Sequence, residues 1–163
     1  MAVLRFLAMV VLSVWVGGLA VLGIAAPVLF NTLQAHDPIA GRELAGLAFG
    51  AVFKYFQTAA VICGAVLLAL FAIRAALGPR PRRLAARLWT VIAMLAVSIV
   101  TTVSVIPQID RLRGSAHGSI AALPADDPTR TAFNRLHGLS NGLMLVTLGA
   151  GLALLWFEST DTH

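Results

Sequence analysis

Four long apolar stretches, separated by short polar connections, make up most of this chain of 163 residues. Each is close to or above about 20 residues, the length that a helix needs to cross a hydrocarbon core about 30 Å thick. The pattern therefore predicts an all-α membrane protein, a four-helix transmembrane bundle whose single domain covers residues 1–163. The stretches are Phe6–Phe30, Leu44–Ile73, Leu88–Ile106 and Leu139–Phe157.

The composition narrows the class of protein further. Hydrophobic residues make up 59% of the chain and charged residues 12%, against about 25% charged residues in an ordinary soluble domain. The formal net charge is +5, but the arginines stand at the ends of apolar stretches and not along one polar face. This arrangement argues against nucleic-acid binding. Four spans leave no room for a separate soluble catalytic module, so we do not expect an enzyme.

The placement of arginine predicts the orientation in the membrane. The connection between the second and third stretches has five arginines and no acidic residue, whereas the other two connections mix acids and bases. Short arginine-rich loops stay on the cytoplasmic side. We therefore expect both termini inside the cell (N-in, C-in) and a multi-pass protein of the inner (plasma) membrane. We interpret the five arginines as a topology signal, the alternative being a turn that contacts the anionic inner leaflet. They are Arg74, Arg80, Arg82, Arg83 and Arg87.

The first stretch has features of a secretory signal peptide, because Arg5 precedes it and Ala25-Ala26 offers a cleavage site. Its apolar run is longer than the usual core of such a peptide, and Pro27 would follow the cut. We expect it to be retained as the first span.

Two Asp-Pro pairs predict where helices begin. Asp37-Pro38 and Asp127-Pro128 combine a good helix N-cap with a proline that is tolerated in the first turn. Pro27 and Pro107 lie near the ends of the preceding spans. This parallel indicates two repeated hairpins as one interpretation of the chain.

Small residues four positions apart predict close packing between helices in lipid, where the backbones must approach each other for dispersion to hold them together. Such pairs occur in three of the four stretches. They are Ser13-xxx-Gly17, Gly46-xxx-Gly50 and Gly138-xxx-Gly142.

Lys54 is the one formal charge inside the apolar stretches. An ammonium group there costs about 2.5–3.5 kcal/mol, so it is usually paired or functional. Lys54 continues the line of Gly46 and Gly50, and Gln57 follows one turn later. Two interpretations remain open: Lys54 faces the bundle, with Asp110 as its nearest acidic candidate, or it extends to the outer membrane interface.

A group of polar residues is expected at one level of the bundle. His137 begins the fourth span, with Ser140 and Asn141 about one turn below, and Asp110 ends the third. In the predicted orientation they form a polar cup open to the extracytoplasmic side. Ordinary helix capping and interhelical hydrogen bonding, worth about 0.6 kcal/mol per bond, is the alternative. The candidate ligand-binding residues are His137, Lys54, Asn141, Ser140, Asp110 and Gln57.

Metal and cofactor chemistry has little support in the pattern. His137 is the only candidate metal ligand within a span, and no second histidine or cysteine has the spacing of a metal site. Ser140 beside His137 lacks an acid that could orient the imidazole for hydrolysis. We expect no cofactor, with a haem or copper site kept as the alternative.

Several segments resemble the transmembrane-protein-205-like family. They are Trp15-Val-Gly-Gly18, Phe53-Lys-Tyr-Phe56, Pro107-Gln-Ile-Asp110 and, above all, Phe133-Asn-Arg-Leu-His-Gly-Leu-Ser140. The resemblance covers nearly the whole chain and implies a four-span fold, in a family whose bacterial members are mostly labelled as a domain of unknown function. It also implies that His137, Ser140 and Pro107 occupy shared positions. Lys54 departs from the eukaryotic pattern.

The resemblance shapes the functional expectation. The eukaryotic member is associated with resistance to platinum drugs, which implies handling of small solutes or trafficking. We therefore expect non-enzymatic binding or transport of a small solute, or an accessory role in a membrane protein complex. The alternative is a haem- or copper-linked membrane redox protein, because such bundles are loosely similar to copper-resistance domains and to a four-span protoporphyrinogen oxidase. The pattern leaves the ligand and the oligomeric state open.

Overall fold

The computed structural model describes residues 2–77, 83–116 and 119–160. Four helices in these ranges are long and apolar enough to cross a membrane, which confirms the predicted four-helix fold. We number them α1 (Ala2–His36), α2 (Ala40–Leu77), α3 (Leu84–Ser115) and α4 (Pro128–Ser159).

Helix α3 is not a regular α-helix throughout. Its first part, Leu84–Val100, and its last part, Ile106–Ser115, are α-helical, and a π-helical turn at Thr101–Val105 joins them. A short 3-10 turn, Ile120–Ala122, lies between α3 and α4. The hydrophobic pattern of the sequence does not predict the π turn.

All four helices extend past the apolar stretches that predicted them. Helix α2 has 38 residues, which at 1.5 Å per residue gives a length of about 57 Å. This exceeds the hydrocarbon thickness of about 30 Å, so polar helical turns continue beyond the lipid core. These extensions carry the charged residues discussed below.

Both predicted Asp-Pro starts act as helix caps. Asp37 Oδ1 accepts hydrogen bonds from the amides of Ile39 and Ala40, each at 2.8 Å. Asp127 Oδ1 accepts from the amides of Thr129 at 2.7 Å and Arg130 at 3.2 Å. These bonds satisfy amides that have no partner within the helix, so the predicted starts of α2 and α4 are confirmed.

The four helices form a closed ring in chain order. Helix α1 packs against α2 and α4, and α3 packs against the same two helices. We call the end with residues 37–39 and 119–127 the loop end, and the end with Ala2, Leu77, Arg83 and Thr160 the terminal end. Whether the two hairpins are a sequence repeat stays a prediction.

The centre of the bundle is apolar and tightly packed. Trp15 is 1% exposed and lies against Gly64, where an added Cβ would be 3.3 Å from its ring. Around it lie fully buried side chains from all four helices, including Leu12, Leu67, Met94 and Leu154. This apolar cluster lies between the two polar ends of the molecule.

The predicted small-residue contacts are mostly wrong. Among the described residues, an added Cβ on Gly17, Gly138 or Gly142 would meet no atom of another helix within 4 Å, so those positions do not pack against another helix of the bundle. Close approaches occur at other glycines, including Gly18, which faces Phe56, and Gly151, which faces Val16. Spacing alone identified glycines but not the side of the helix on which the neighbour lies.

A buried ion cluster closes the terminal end. Glu158 is 0% exposed, and its two carboxylate oxygens accept from Arg74 at 2.8 Å and from Arg87 at 2.5 Å. Arg87 also donates to the carbonyl of Phe157 at 3.1 Å. The interpretation of Arg74 and Arg87 as a topology signal alone is therefore wrong, because they also join α2, α3 and α4. Arg80 and Arg82 lie outside the described residues.

Candidate functional site

A cavity of about 420 Å³ lies at the loop end of the bundle. Its walls come from α2, α3 and α4, with Phe30 of α1 and the 3-10 turn at its edge. Small-molecule sites in proteins typically measure about 300–1,000 Å³. The cavity is therefore large enough for a small organic solute, and we call it the loop-end cavity.

Lys54 and Asp110 form an ion pair across this cavity. Lys54 Nζ of α2 lies 2.7 Å from Asp110 Oδ2 of α3, and the two side chains are 49% and 44% exposed. Asp110, the nearest acidic candidate in the sequence, is the partner of Lys54 in the structure. An exposed pair of this kind contributes about 0–1 kcal/mol to stability, so its main effect is to fix the positions of the two charges.

Arg113 occupies the space that two glycines of α2 leave open. Its Nη2 donates to the carbonyl of Gly46 at 3.1 Å, and its guanidinium lies 5.5 Å from the centre of the Phe133 ring. An added Cβ on Gly46 or Gly50 would stand 2.9 or 3.3 Å from a guanidinium nitrogen. Gly46-xxx-Gly50 therefore accommodates an arginine and not a helix backbone, which corrects the predicted contact.

Sequence reasoning missed Arg113, although a usable signal was present. Arg113 lies three positions after Asp110 on the same helix, and residues with this spacing face the same side. Because Asp110 was already a candidate for the polar cup, the spacing predicts that the Arg113 side chain lines the same cavity.

The aromatic wall of the cavity comes from α4. The rings of Phe133 and His137 are stacked, with centroids 6.1 Å apart and planes inclined by 4°. Ser140 and Asn141 line the same cavity further along the helix. The Phe133–Ser140 segment, which carried the most specific family resemblance, is thus a cavity wall.

Five of the six predicted site residues come together in the loop-end cavity, namely His137, Lys54, Asn141, Ser140 and Asp110. Gln57 does not line it. Its side chain is buried, with 5% exposure, and lines a second, narrow cavity of about 10 Å³. Ser140 lines both cavities, so the two are adjacent.

The π turn determines which side chains of α3 reach the cavity. A π turn inserts one residue into a helix, and each residue of a helix turns the chain by about 100°. Ser98 before the turn and Thr101 at its start are buried in the bundle, whereas Asp110 and Arg113 after the turn line the loop-end cavity. Pro107, which has no amide hydrogen, is the second residue after the turn.

Positive charge predominates in the loop-end cavity. Its lining has four basic side chains, Arg42, Lys54, Arg113 and Arg130, and two acidic ones, Glu43 and Asp110. Arg130 is held at the edge by a hydrogen bond of 2.6 Å to the carbonyl of Leu123.

The residues present do not fit a metal site. Within residues 2–77, 83–116 and 119–160, no three His, Cys, Asp or Glu side chains are grouped closely enough to hold a metal ion. A zinc or copper site usually needs three or four such ligands.

Comparison with known proteins gives one match. The family model DUF4149, described as a domain of unknown function, matches residues 10–117. A search of curated proteins and a search of solved structures each gave no match. The matched region holds most of α1 and all of α2 and α3, but not the Phe133–Ser140 segment, so the resemblance to the transmembrane-protein-205-like family stays a prediction. Because the match spans more than half of the chain, this protein belongs to the DUF4149 family of membrane proteins of unknown function.

Proposed function

We propose that this protein binds a small organic anion in the loop-end cavity, from the extracytoplasmic side of the inner membrane. The observation that carries the proposal is the surplus of cationic side chains around a cavity of about 420 Å³. Cationic groups lining a cleft with walls of low dielectric concentrate anions inside it.

The shape and lining narrow the class of anion. The apolar part of the wall contains four phenylalanines, Phe30, Phe49, Phe53 and Phe133. Arg113 presents a planar guanidinium beside Phe133, and such a group binds carboxylate or phosphate through two parallel hydrogen bonds. In a carboxylate or phosphate attached to an apolar group, the acid binds the arginine side chain and the apolar group packs against the phenylalanines.

The apolar cluster below the cavity supports binding over conduction. Between the loop-end cavity and the terminal end lie the Trp15 cluster and the buried ion cluster of Glu158. Both are closely packed in this conformation. The cavity is therefore blind, as a binding site or one state of a transporter requires.

Two ligands of equal chain length and opposite charge test the proposal. We expect octanoate to raise the thermal unfolding midpoint of the protein in zwitterionic nanodiscs, and octylammonium to leave it unchanged. Arg113→Gln removes a charge-assisted hydrogen bond worth about 1.5–3 kcal/mol, so octanoate affinity should fall by about tenfold or more. Arg5→Gln, at the terminal end, is the matched control and should bind octanoate as the parent protein does.

Two further results separate the alternatives. Equal stabilisation by both ligands, or unchanged octanoate binding by Arg113→Gln, would contradict the proposal. Repeating the titration in nanodiscs with anionic lipid distinguishes the source of the anion, because a lipid head group in the cavity competes with octanoate.

An accessory role in a membrane complex is the remaining hypothesis. It would be favoured if the Arg113→Gln variant did not bind octanoate but still co-purified with a stable partner protein.

A further inference from the structure

We infer that the narrow cavity beside Gln57 is a binding site for one water molecule, continuous with the loop-end cavity and located inside the bundle. We call it the Gln57 pocket. It is lined by polar side chains from three helices, namely Gln57 of α2, Ser98 and Thr101 of α3, and Ser140 and Thr147 of α4. The inference does not depend on the proposed function.

The polar groups of the pocket are buried and, with one exception, lack protein partners. The side chains of Gln57, Ser98 and Thr101 are each 5% exposed or less. In the part of the chain that the structure describes, no hydrogen bond joins the Gln57 carboxamide or the hydroxyls of Ser98, Thr101 and Ser140 to a protein group, and these residues line the pocket and are not completely enclosed. Buried polar groups in folded proteins are almost always hydrogen-bonded, to protein or to ordered water.

Most threonine hydroxyl groups of the same helices are hydrogen-bonded to their own helix, unlike the hydroxyls of Ser98, Thr101 and Ser140. Thr58, Thr90, Thr102 and Thr147 each donate to the carbonyl four residues earlier in their own helix. The Ser98, Thr101 and Ser140 hydroxyls do not. They are free to bind a molecule in the pocket.

The size and charge of the pocket select the occupant. Its volume of about 10 Å³ is close to what one water molecule requires, and a bound water needs two to four polar partners. The lining is neutral, and the nearby loop-end cavity is positive. A metal cation would thus be buried without a compensating charge, which is strongly unfavourable. Water can donate to the Gln57 carbonyl oxygen and accept from the hydroxyls.

The pocket also has a route of entry. Ser140, Phe53 and Met144 line both the Gln57 pocket and the loop-end cavity, so water has only to pass between these side chains. The hydrated region of the molecule therefore extends from the loop end to Gln57 and stops at the apolar core.

Solid-state NMR of the full chain in lipid bilayers tests the inference. With ¹⁵N-labelled glutamine and tryptophan, magnetisation transferred from water reports how close water lies to each labelled nitrogen. The chain has three glutamines, Gln34, Gln57 and Gln108, and the backbone amide of Trp15, inside α1 and within the apolar cluster, is the buried reference. We expect the Gln57 side-chain amide signal to build up at a rate close to that of Gln108, which is exposed, and much faster than the Trp15 backbone amide signal.

Variants assign the signal and provide controls. Gln57→Leu should delete one of the three side-chain signals; if this variant does not fold, Gln34→Asn with Gln108→Asn leaves Gln57 as the one remaining glutamine. Thr101→Val should slow the build-up at Gln57, because it removes a pocket hydroxyl. Thr102→Val is the matched control and should not, because the Thr102 hydroxyl already bonds within its own helix.

Two results would overturn the inference. One is a Gln57 side-chain signal that builds up as slowly as the Trp15 backbone amide signal, which would mean a dry pocket. The other is a shift of the Gln57 signal when sodium and potassium are replaced by choline, which would mean a cation as the occupant. Arg113→Gln should weaken octanoate binding by about tenfold or more and leave the hydration of Gln57 intact, so the two proposals fail separately.

Discussion

Glu158 and Asp110 are both carboxylates paired with basic side chains, but their surroundings differ completely. Glu158 is 0% exposed and balances two guanidinium groups, whereas Asp110 and its partner Lys54 are nearly half exposed. Removing one member of a buried pair leaves an uncompensated charge and destabilises by about 3–5 kcal/mol. An exposed pair contributes about 0–1 kcal/mol. We therefore predict that Glu158→Gln lowers the free energy of unfolding strongly and Asp110→Asn hardly at all.

Thermal or denaturant unfolding in one detergent measures both variants side by side. Because each substitution removes one negative charge from a similarly sized side chain, each serves as the control for the other. Equal losses of stability would show that burial does not determine the contribution of the Glu158 cluster.

His137 gives a second prediction at the residue scale. Its imidazole stacks on Phe133 at the cavity wall and makes no hydrogen bond that joins helices in the described structure. His137→Ala should therefore change the free energy of unfolding by no more than about 0.5 kcal/mol, as is usual for exposed positions. Octanoate affinity should fall by up to about tenfold, which corresponds to one neutral hydrogen bond. Loss of expression or of thermal stability in this variant would instead identify His137 as a structural cap.

Single residues show what the sequence could and could not predict. The charge of Lys54 inside an apolar stretch identified it, and Asp110 was the nearest acid, so the pair was foreseeable. Glu158 was missed because it directly follows the last apolar residue of its stretch, where a charge normally faces water. Its burial arises from two arginines on other helices, and sequence spacing carries no information about that approach.

At the scale of elements, the hairpin of α1 and α2 depends on one glycine. The helices are joined by residues 37–39, and an added Cβ on Gly41 would stand 2.0 Å from the backbone carbonyl oxygen of Leu33. A backbone atom cannot move aside as a flexible side chain can. We predict that Gly41→Ala destabilises the protein by about 1–3 kcal/mol, the usual effect of overpacking.

Gly142→Ala is the matched control, because no atom lies within 4 Å of its added Cβ. Alanine favours the helix over glycine by about 1 kcal/mol, so this variant should be neutral or slightly more stable. Thermal unfolding compares the two variants. A neutral Gly41→Ala would mean that the hairpin can open without loss of packing.

The π turn gives a second prediction for elements. Deletion of Val103, which is 65% exposed, should remove the inserted residue of the Thr101–Val105 turn and restore a regular α-helix. The side chains before and after the turn should then stay on the same sides of α3 as in the parent protein. Deletion of Ile92, exposed but in the regular part of α3, should rotate one part of the helix against the other by about 100°. We expect octanoate binding to survive the first deletion and to be lost with the second. Loss in both would show that the wide turn itself shapes the cavity.

Elements were predicted better than their contacts. Apolar length and the Asp-Pro caps were sufficient for four helices and two starting points, because both are local properties of the chain. The π turn and the faces of the glycines were not predicted, because they depend on how neighbouring helices meet.

For the whole molecule, the orientation in the membrane determines the compartment to which the loop-end cavity is open. The terminal end carries Arg5, Arg74, Arg83 and Arg87, which favours the cytoplasm. The loop end also carries arginines, which favour the opposite orientation. Two of them, Arg113 and Arg130, bond to backbone carbonyls at the cavity. We predict N-in and C-in topology, with the cavity outside.

Single cysteines in a Cys63→Ala background test this orientation in intact cells. Ser115→Cys lies at the exposed loop end and Thr160→Cys at the exposed terminal end. A membrane-impermeant sulfonated maleimide should label the first variant and not the second, and both should react once the membrane is permeabilised. The reverse pattern would turn the loop-end cavity towards the cytoplasm. The cavity would still favour an organic anion, because its charge does not depend on orientation, but the anion would then be a cytoplasmic solute and the arginines of the loop end would determine the topology.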